Sequence, residues 1–288
     1  MKELLKGINV VTLALNLPGP LAAKRLVDLG ATVIKVEPPE GDPFNTYCSD
    51  WYMSVNEGQD VVIIDLKSPE GLKELSSLFA SAQLLITAQR PAALERLGLG
   101  WESLHAQHPH LNHLAIVGYP APNENHAGHD VTYQAARGLL SPPHMPKTLV
   151  ADLAGAERAA FQGLALLMQT KAGKKGQRSL VALSDAADYM AQPYDYGLTN
   201  QGSILSGVLP EYSLYQAKTG WVAIAALEPH FKKALTEQLS LSSLSKDAVA
   251  EKMRQKTAQE WERWANQRDI PLVAVKAELS GKASNPLQ

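Results

Sequence analysis

The chain has 288 residues and a single cysteine, Cys48. That excludes an intramolecular disulfide and any paired-cysteine metal site, and it fits the reducing cytoplasm. No neighbouring cation or motif activates the thiol, so Cys48 reads as a bystander rather than a nucleophile. Charge is also scarce: Asp, Glu, Lys and Arg together make 19% and the formal net charge is −2. No broad basic field is offered to nucleic acid or an anionic membrane, so a charged ligand must be held by local contacts. No run of 18 apolar residues is available to span a bilayer. The opening MKELLKGINVVTLALNLPGP resembles a secretory leader in its lysines and apolar run. Asn9, Asn16 and Pro18 interrupt that run and the pattern continues unbroken beyond it, so residues 8–15 read better as a buried strand. Neither GxGxxG nor GxxxxGKS/T follows any strand pattern, and the prolines of NLPGP remove two of the amide donors that a phosphate cradle would use.

What is present is a long alternation of strand and helix in a chain whose 45% hydrophobic content supports a sizeable core. After the first strand, Pro20 is expected to open a helix through Leu29 that Gly30 closes, and TVIKVE follows as a β-rich segment. The cycle recurs. DVVIIDL (60–66) is a strand, Ser68 caps a helix with Pro69 at its first position, and QLLITA, WESLHAQHP and LNHLAIVGY continue strand, helix, strand. Such alternation predicts an α/β fold with a largely parallel sheet, helices on both faces and ligands beyond the carboxyl ends of the strands. The loops after Val36, Ala88 and Tyr119 are then expected to wall the site.

A long helix is predicted from residue 151 to near Gly173, followed by the strand and helix of SLVALSDAADYM. Residues 192–215 are rich in Gly, Ser, Pro and Tyr, as expected of a domain connection or a loop over a site. The expected boundaries are a large domain over 1–195, a small α+β domain over 200–278 and a disordered tail over 279–288.

Three ionisable residues stand at predicted helix starts: His129 in GHDVTYQAARG, Asp152 in VADLAG and Glu228 in ALEPHF. Taken singly, they read as caps or as favourable charges at helix N-termini, and Asp130 is a better N-cap candidate than His129. The segment HAQHPHLNH, with His105, His108, His110 and His113, invites a zinc reading. Its spacing matches no usual ligand pattern and no cysteine or carboxylate accompanies it, so it reads as a solvated connection and no metal is expected.

Together, LKGINVVTLALNLPGPLAAKRLVDLGATVIKVEPPEGDPF, VVIIDLKSPEGLKEL, RPAALERLGLGWESL, GHDVTYQAARGLL, VADLAG, KKGQRSLVALSDAA and GWVAIAALEPHF resemble the successive signature blocks of the class III (CaiB/BaiF-type) CoA-transferase family, nearest its α-methylacyl-CoA racemases. The blocks run in family order from about Leu5 to Ala274. The resemblance implies a Rossmann-like large domain with a smaller α+β domain, an interlocked homodimer, an acyl-CoA thioester as substrate and no permanently bound cofactor. It also implies a catalytic pair, His129 and Asp152, with Glu228 as the acidic residue that orients the histidine. The chemistry is sound on its own terms. A thioester acidifies its α-carbon, so inversion at C2 needs one group to remove the proton from one face and another to return it to the opposite face. Helix N-termini at both residues are expected to favour negative charge, including that of Asp152.

The departures from the family pattern are informative. Relatives commonly carry an arginine shortly after GDP and basic residues before the DLK strand, where this chain reads GDPFNTYCSD and NEGQDVVIIDL, with Gln59 and Asp60 in the basic positions. Those losses weaken the expected grip on the anionic end of CoA. Lys35, Lys67, Arg90 and Arg96 remain as candidate anchors, Arg90 foremost. The chain is also shorter than typical members, which leaves the threading of the dimer open. Three readings stand: an epimerase acting at C2 of a 2-methylacyl-CoA through His129 and Asp152; a CoA transferase in which Asp152 attacks the thioester and passes through a mixed anhydride; and a non-catalytic descendant with a degraded CoA site.

Overall fold

The structure, a computed structural model, describes residues 3–276, so the expected disordered tail lies outside the described residues. Two compact units are distinguished, the first reaching Ala191 and the second beginning at Gln192.

The first unit opens with β1 (Asn9–Thr12), α1 (Pro18–Asp28) and β2 (Thr32–Glu37). Pro18 at the first turn starts α1 two residues earlier than the sequence predicts, because a proline there forfeits only an amide that has no helical partner. Two short helices follow, α2 (Pro43–Tyr47) and α3 (Ser49–Asn56), where the sequence reading has only the loop after Val36. The side chain of Asp42 accepts the Phe44 N–H and caps α2. Then come β3 (Gln59–Ile63), α4 (Pro69–Phe79) with the Ser68 hydroxyl accepting the Gly71 N–H, β4 (Leu84–Thr87), α5 (Pro91–Arg96), α6 (Trp101–Gln107) and β5 (Asn112–Val117). The last part holds α7 (Asp130–Ala136), α8 (Val150–Lys171), β6 (Arg178–Ala182) and α9 (Leu183–Asp195).

These six strands form one sheet in the order β3-β2-β1-β4-β5-β6, and every pairing is parallel. The order reverses between β1 and β4, the place where open α/β sheets bind ligands. Period-two alternation divides the core between the two faces. Val10, Val33, Leu84, Ile86 and Leu114 pack with Leu26 of α1 and with Ala159, Ala160 and Leu166 of α8. Val11, Leu13 and Leu85 point the other way and pack with Leu75 and Phe79 of α4, Leu94 of α5 and Leu104 of α6. Small residues let α8 lie close to the sheet: a Cβ at Gly163 would come within 3.2 Å of the Leu84 side chain. Truncating a wholly buried leucine such as Leu85 to alanine is expected to cost about 2–5 kcal/mol.

The four histidines of HAQHPHLNH divide between core and surface, His113 buried, His105 and His108 half-buried and His110 exposed. His113 is buried on β5 with its Nε2 2.9 Å from the Thr87 hydroxyl, and burial, then the charge of Arg178, pushes its pKa down to about 3. His105 stacks on Trp101, His108 meets Ser76, and His110 meets the carbonyl of Phe79. The expected solvated connection is therefore partly core.

The second unit contains β7 (Tyr212–Gln216), β8 (Trp221–Ala225), α10 (Pro229–Gln238), α11 (Lys246–Met253), α12 (Ala258–Asn266) and β9 (Leu272–Ala274). Its strands form an antiparallel sheet, β7-β8-β9, packed on its helices through Val222, Ile224, Leu235, Met253 and Trp261. Strand β7 overlaps the end of the stretch read from sequence as a connection. Its Ser-Tyr composition hides the hairpin partner that β8 requires.

Candidate active site

A cleft of about 640 Å³ opens at the carboxyl ends of the parallel strands. The loops after β1, β2, β4 and β5 and the starts of α7, α8 and α9 form its walls, through residues such as Asn16, Tyr47, Arg90, Gly118, His129, Asp152 and Leu183. All of these belong to the first unit.

The wall after β1 and β2 is braced from below by a buried ionic cluster. The Lys35 ammonium, wholly buried, lies 2.8 Å from a Glu37 carboxylate oxygen and 2.6 Å from one of Asp42. The Tyr52 hydroxyl donates to Glu37 at 2.8 Å, and burial, followed by that hydrogen bond, raises the phenol well above its ordinary range. Asp42 also accepts the N–H of Asn16, whose left-handed φ of 63° turns the loop into the cleft. Tyr47 donates to the Asn16 side chain at 2.6 Å. Lys35 thus belongs to the framework. Its expected role as a CoA anchor is corrected, because an ammonium enclosed by two carboxylates has no face left for a phosphate.

The opposite wall carries the expected catalytic pair. His129 occupies the N-cap position of α7, and its backbone N–H donates to the Thr132 hydroxyl at 3.1 Å. The sequence reading makes Asp130 the better N-cap candidate, but His129 holds that position and Asp130 is the first residue of the helix. Its buried carboxylate reaches instead to the first turn of α8, accepting the N–H of Ala151 at 2.7 Å and that of Asp152 at 3.0 Å, and it also holds the Gln134 amide. This alters the electrostatics of Asp152. A helix N-terminus ordinarily favours a carboxylate, but here the exposed donors are already taken by a neighbouring negative charge. Burial, then the charge of Asp130, pushes the Asp152 pKa up to about 7. The expectation that the helix end stabilises Asp152 as an anion is therefore corrected. A carboxyl group poised near neutral pH can both give and take a proton.

Of the other expected residues, Arg90 lines the cleft and is exposed; Lys67 and Arg96 are exposed on the same unit and are not among its lining residues. Glu228 belongs to the second unit, where it is exposed at the N-cap of α10 without a side-chain capping bond. Gln59, in place of a basic residue, is buried and donates to the carbonyls of Pro20 and Val55. Sequence reasoning missed Tyr133 of α7 and the aromatic wall of Phe44, Tyr47 and Trp51. The signal for Tyr133 was its place four residues after His129, one helical turn along the same face.

Comparison with known proteins agrees with this architecture. CoA-transferase family III matches residues 5–278. The chain is 31% identical over 258 residues to the human α-methylacyl-CoA racemase, covering 83% of this chain and 65% of that protein, so it spans slightly less than two thirds of that relative's length. It is 29% identical over 319 residues to the (R)-2-hydroxy-4-methylpentanoate CoA-transferase of Clostridioides difficile, covering 95% of this chain and 80% of that one. Among solved structures, the hypothetical protein Rv3272 of Mycobacterium tuberculosis superposes with a TM-score of 0.83 at 23% identity, over 95% of this chain and 86% of that chain. A CaiB/BaiF family protein of Brucella suis gives 0.77 at 23% identity, over 94% and 84%. The sheet order, the cleft at its switch point and the family match over nearly the whole length lead to one conclusion: the chain belongs to CoA-transferase family III, the CaiB/BaiF family.

Proposed function

We propose that the protein is an acyl-CoA-processing enzyme that epimerises C2 of a 2-methylacyl-CoA, with His129 and Asp152 as the two proton-transfer groups. The observation that carries this reading is that both residues line the same cleft, one of them a carboxyl group whose pKa is raised to about 7. Proton removal from one face of the α-carbon leaves an enolate; return from the other group on the opposite face inverts the centre. Arg90, the cation lining the cleft, is assigned to the anionic end of CoA, with Lys67 and Arg96 as outer contributors. A homodimer is the proposed assembly. The exposed apolar side chains of Phe161 and Met168 on α8 and of Tyr189 and Met190 on α9 support it as surface in need of a partner.

The transferase chemistry of the Clostridioides difficile relative favours a second reading, in which Asp152 attacks the thioester carbonyl and expels the CoA thiolate; the thiolate then attacks the Asp152 carbonyl of the mixed anhydride and releases the donor acid, and the CoA held on Asp152 passes to an acceptor acid by the same two steps in reverse. One experiment separates the two. In deuterated water, an epimerase washes deuterium into the α-position, and His129→Ala suppresses exchange from one substrate epimer more than from the other. A transferase leaves exchange at background, tolerates His129→Ala and yields an acyl group that hydroxylamine captures from the wild-type protein. Folded protein that shows neither exchange nor capture across short, branched and aromatic acyl-CoAs refutes both and returns the pair to the role of helix-end residues.

A further inference from the structure

Tyr133 is a buried phenol, 2% exposed, on the first helix of the catalytic wall, yet its ring borders the cleft. A buried tyrosine hydroxyl normally finds a hydrogen-bond partner. This one makes no hydrogen bond to the protein among the described residues. The chain also makes room for the hydroxyl itself. A Cβ built on Gly118, just after β5, would lie 2.6 Å from the hydroxyl, and a Cβ on Gly128, just before His129, would lie equally close. Neither glycine needs a left-handed φ, so backbone conformation does not explain them. The ring itself is fixed: Tyr119 meets it edge-on at 5.3 Å, and Ala151 and Ala187 pack against it.

We infer that the Tyr133 hydroxyl donates the hydrogen bond that meets the thioester carbonyl oxygen of the bound acyl-CoA. The inference rests on the acyl-CoA reading above but not on the choice between epimerase and transferase, because both put negative charge on that oxygen. In the epimerase case a base takes the α-proton, the C–H electron pair forms the Cα–C1 double bond, and the carbonyl π pair moves onto oxygen. Tyr133 keeps its proton and donates a hydrogen bond to that oxygen, and collapse of the enolate returns the pair to Cα as the second acid supplies a proton. Burial, then the charges of neighbouring groups including Asp152 and Asp130, raises the phenol pKa to about 12, which keeps it a proton-bearing donor. Its position one turn from His129 places it beside the α-carbon's base rather than at the CoA end of the cleft.

The test is Tyr133→Phe, which keeps the ring and its packing. The expected result is a fall in kcat for α-exchange or acyl transfer on the order of 10²–10³-fold, as for other single oxyanion donors, with KM within about threefold and an unchanged thermal transition. Gly118→Ala, whose methyl would occupy the hydroxyl's space while lying 3.7 Å from the nearest carbon of the ring, should produce a similar fall in the wild type and little further loss in the Tyr133→Phe background. A kcat within about threefold of wild type for Tyr133→Phe, or full additivity of the two substitutions, overturns the inference and leaves Tyr133 as a packing ring. A binding arm does not depend on turnover. Tyr133→Phe should weaken binding of a non-hydrolysable ketone analogue of acyl-CoA about tenfold while leaving the corresponding S-alkyl-CoA, which has no carbonyl, unaffected. Equal affinities of wild type and variant for both ligands sink the donor role alone. Failure of the wild type to bind either ligand sinks the acyl-CoA reading, and the donor role with it.

Discussion

The carboxylate of Asp130 lies 3.0 Å from the backbone nitrogen of Asp152 and accepts its N–H, so the residue beside His129 holds the helix that presents Asp152, the second of the two proposed proton-transfer groups. One side chain thereby ties the two halves of the pair together. It also bears on the charge state of Asp152, because its negative charge adds to burial in opposing ionisation there.

These two roles are separable by substitution. Asp130→Ala removes the acceptor for two amides and should lower stability by about 1–3 kcal/mol in urea denaturation, the usual cost of losing a cap whose donors stay partly buried. Asp130→Asn retains an acceptor oxygen but no charge. It should stay closer to wild type in stability while moving the acid limb of the α-exchange profile to lower pH, since the repulsion that lifts the Asp152 pKa is gone. An unmoved acid limb in the asparagine variant would mean that burial alone sets the Asp152 pKa.

Asp152 itself carries a pH signature in stability. Its folded pKa, about 7, lies above the ordinary carboxylate value of 3.8. Between those limits the folded state binds more protons than the unfolded state, so the contribution is favourable at low pH and is lost as pH rises through the window. Asp152→Asn lacks this dependence. The melting temperature of the variant minus that of the wild type should therefore climb from about pH 4 to pH 7 and level off above, by several degrees if the shift is realised in full. A flat difference across that range would refute the raised pKa.

Much of this architecture was legible in the sequence because its local signals agree. The Ser68 cap with Pro69 at the first helical turn, the β-rich TVIKVE and the short apolar run Leu84, Leu85 and Ile86 each specify an element without help from distant residues. The misses share a physical cause, which is dependence on partners far along the chain. Asp42 caps α2 within a segment that looks like a loop, and that segment orders only because Glu37 and Lys35 meet Asp42 beneath it. Lys35 reads as a candidate anchor for CoA since no pattern in TVIKVE distinguishes an inward-facing lysine from an outward one. Asp130 looked like the cap of the helix it begins, whereas its acceptors serve a helix 20 residues later. His129 and Asp152 could be named from sequence, but the effect of one carboxylate on the other could not.

The buried position of Lys35 gives a clear expectation. Lys35→Met leaves Glu37 and Asp42 facing each other without their cation, and breaking a buried ion pair in this way costs about 3–5 kcal/mol. Denaturant midpoints should fall sharply. Adding Asp42→Asn and Glu37→Gln to the same chain should recover part of the loss, because the uncompensated charges are then removed. A Lys35→Met protein with wild-type stability and weakened CoA affinity would restore the anchoring role that the structure takes away.

Arg90 presents the opposite case. Its side chain is exposed at the cleft and makes no ion pair among the described residues, so its removal should leave the fold intact. Arg90→Ala should keep the wild-type thermal transition within about 1 °C, as expected of a surface change away from packing. Its effect should appear in titration calorimetry with CoA. A charge-assisted contact to a phosphate is worth about 1.5–3 kcal/mol, so the dissociation constant should rise by roughly ten- to a hundredfold at low ionic strength. Salt discriminates a charge contact from a packing one. Wild-type affinity should weaken as salt is raised from about 50 to 200 mM, and the variant should weaken less steeply because one screened interaction is missing. Arg90→Lys should fall between the two, keeping the charge but losing the guanidinium fork. Parallel salt dependences for wild type and Arg90→Ala would show that the anionic end of CoA is held elsewhere, with Lys67→Ala and Arg96→Ala the next variants to titrate.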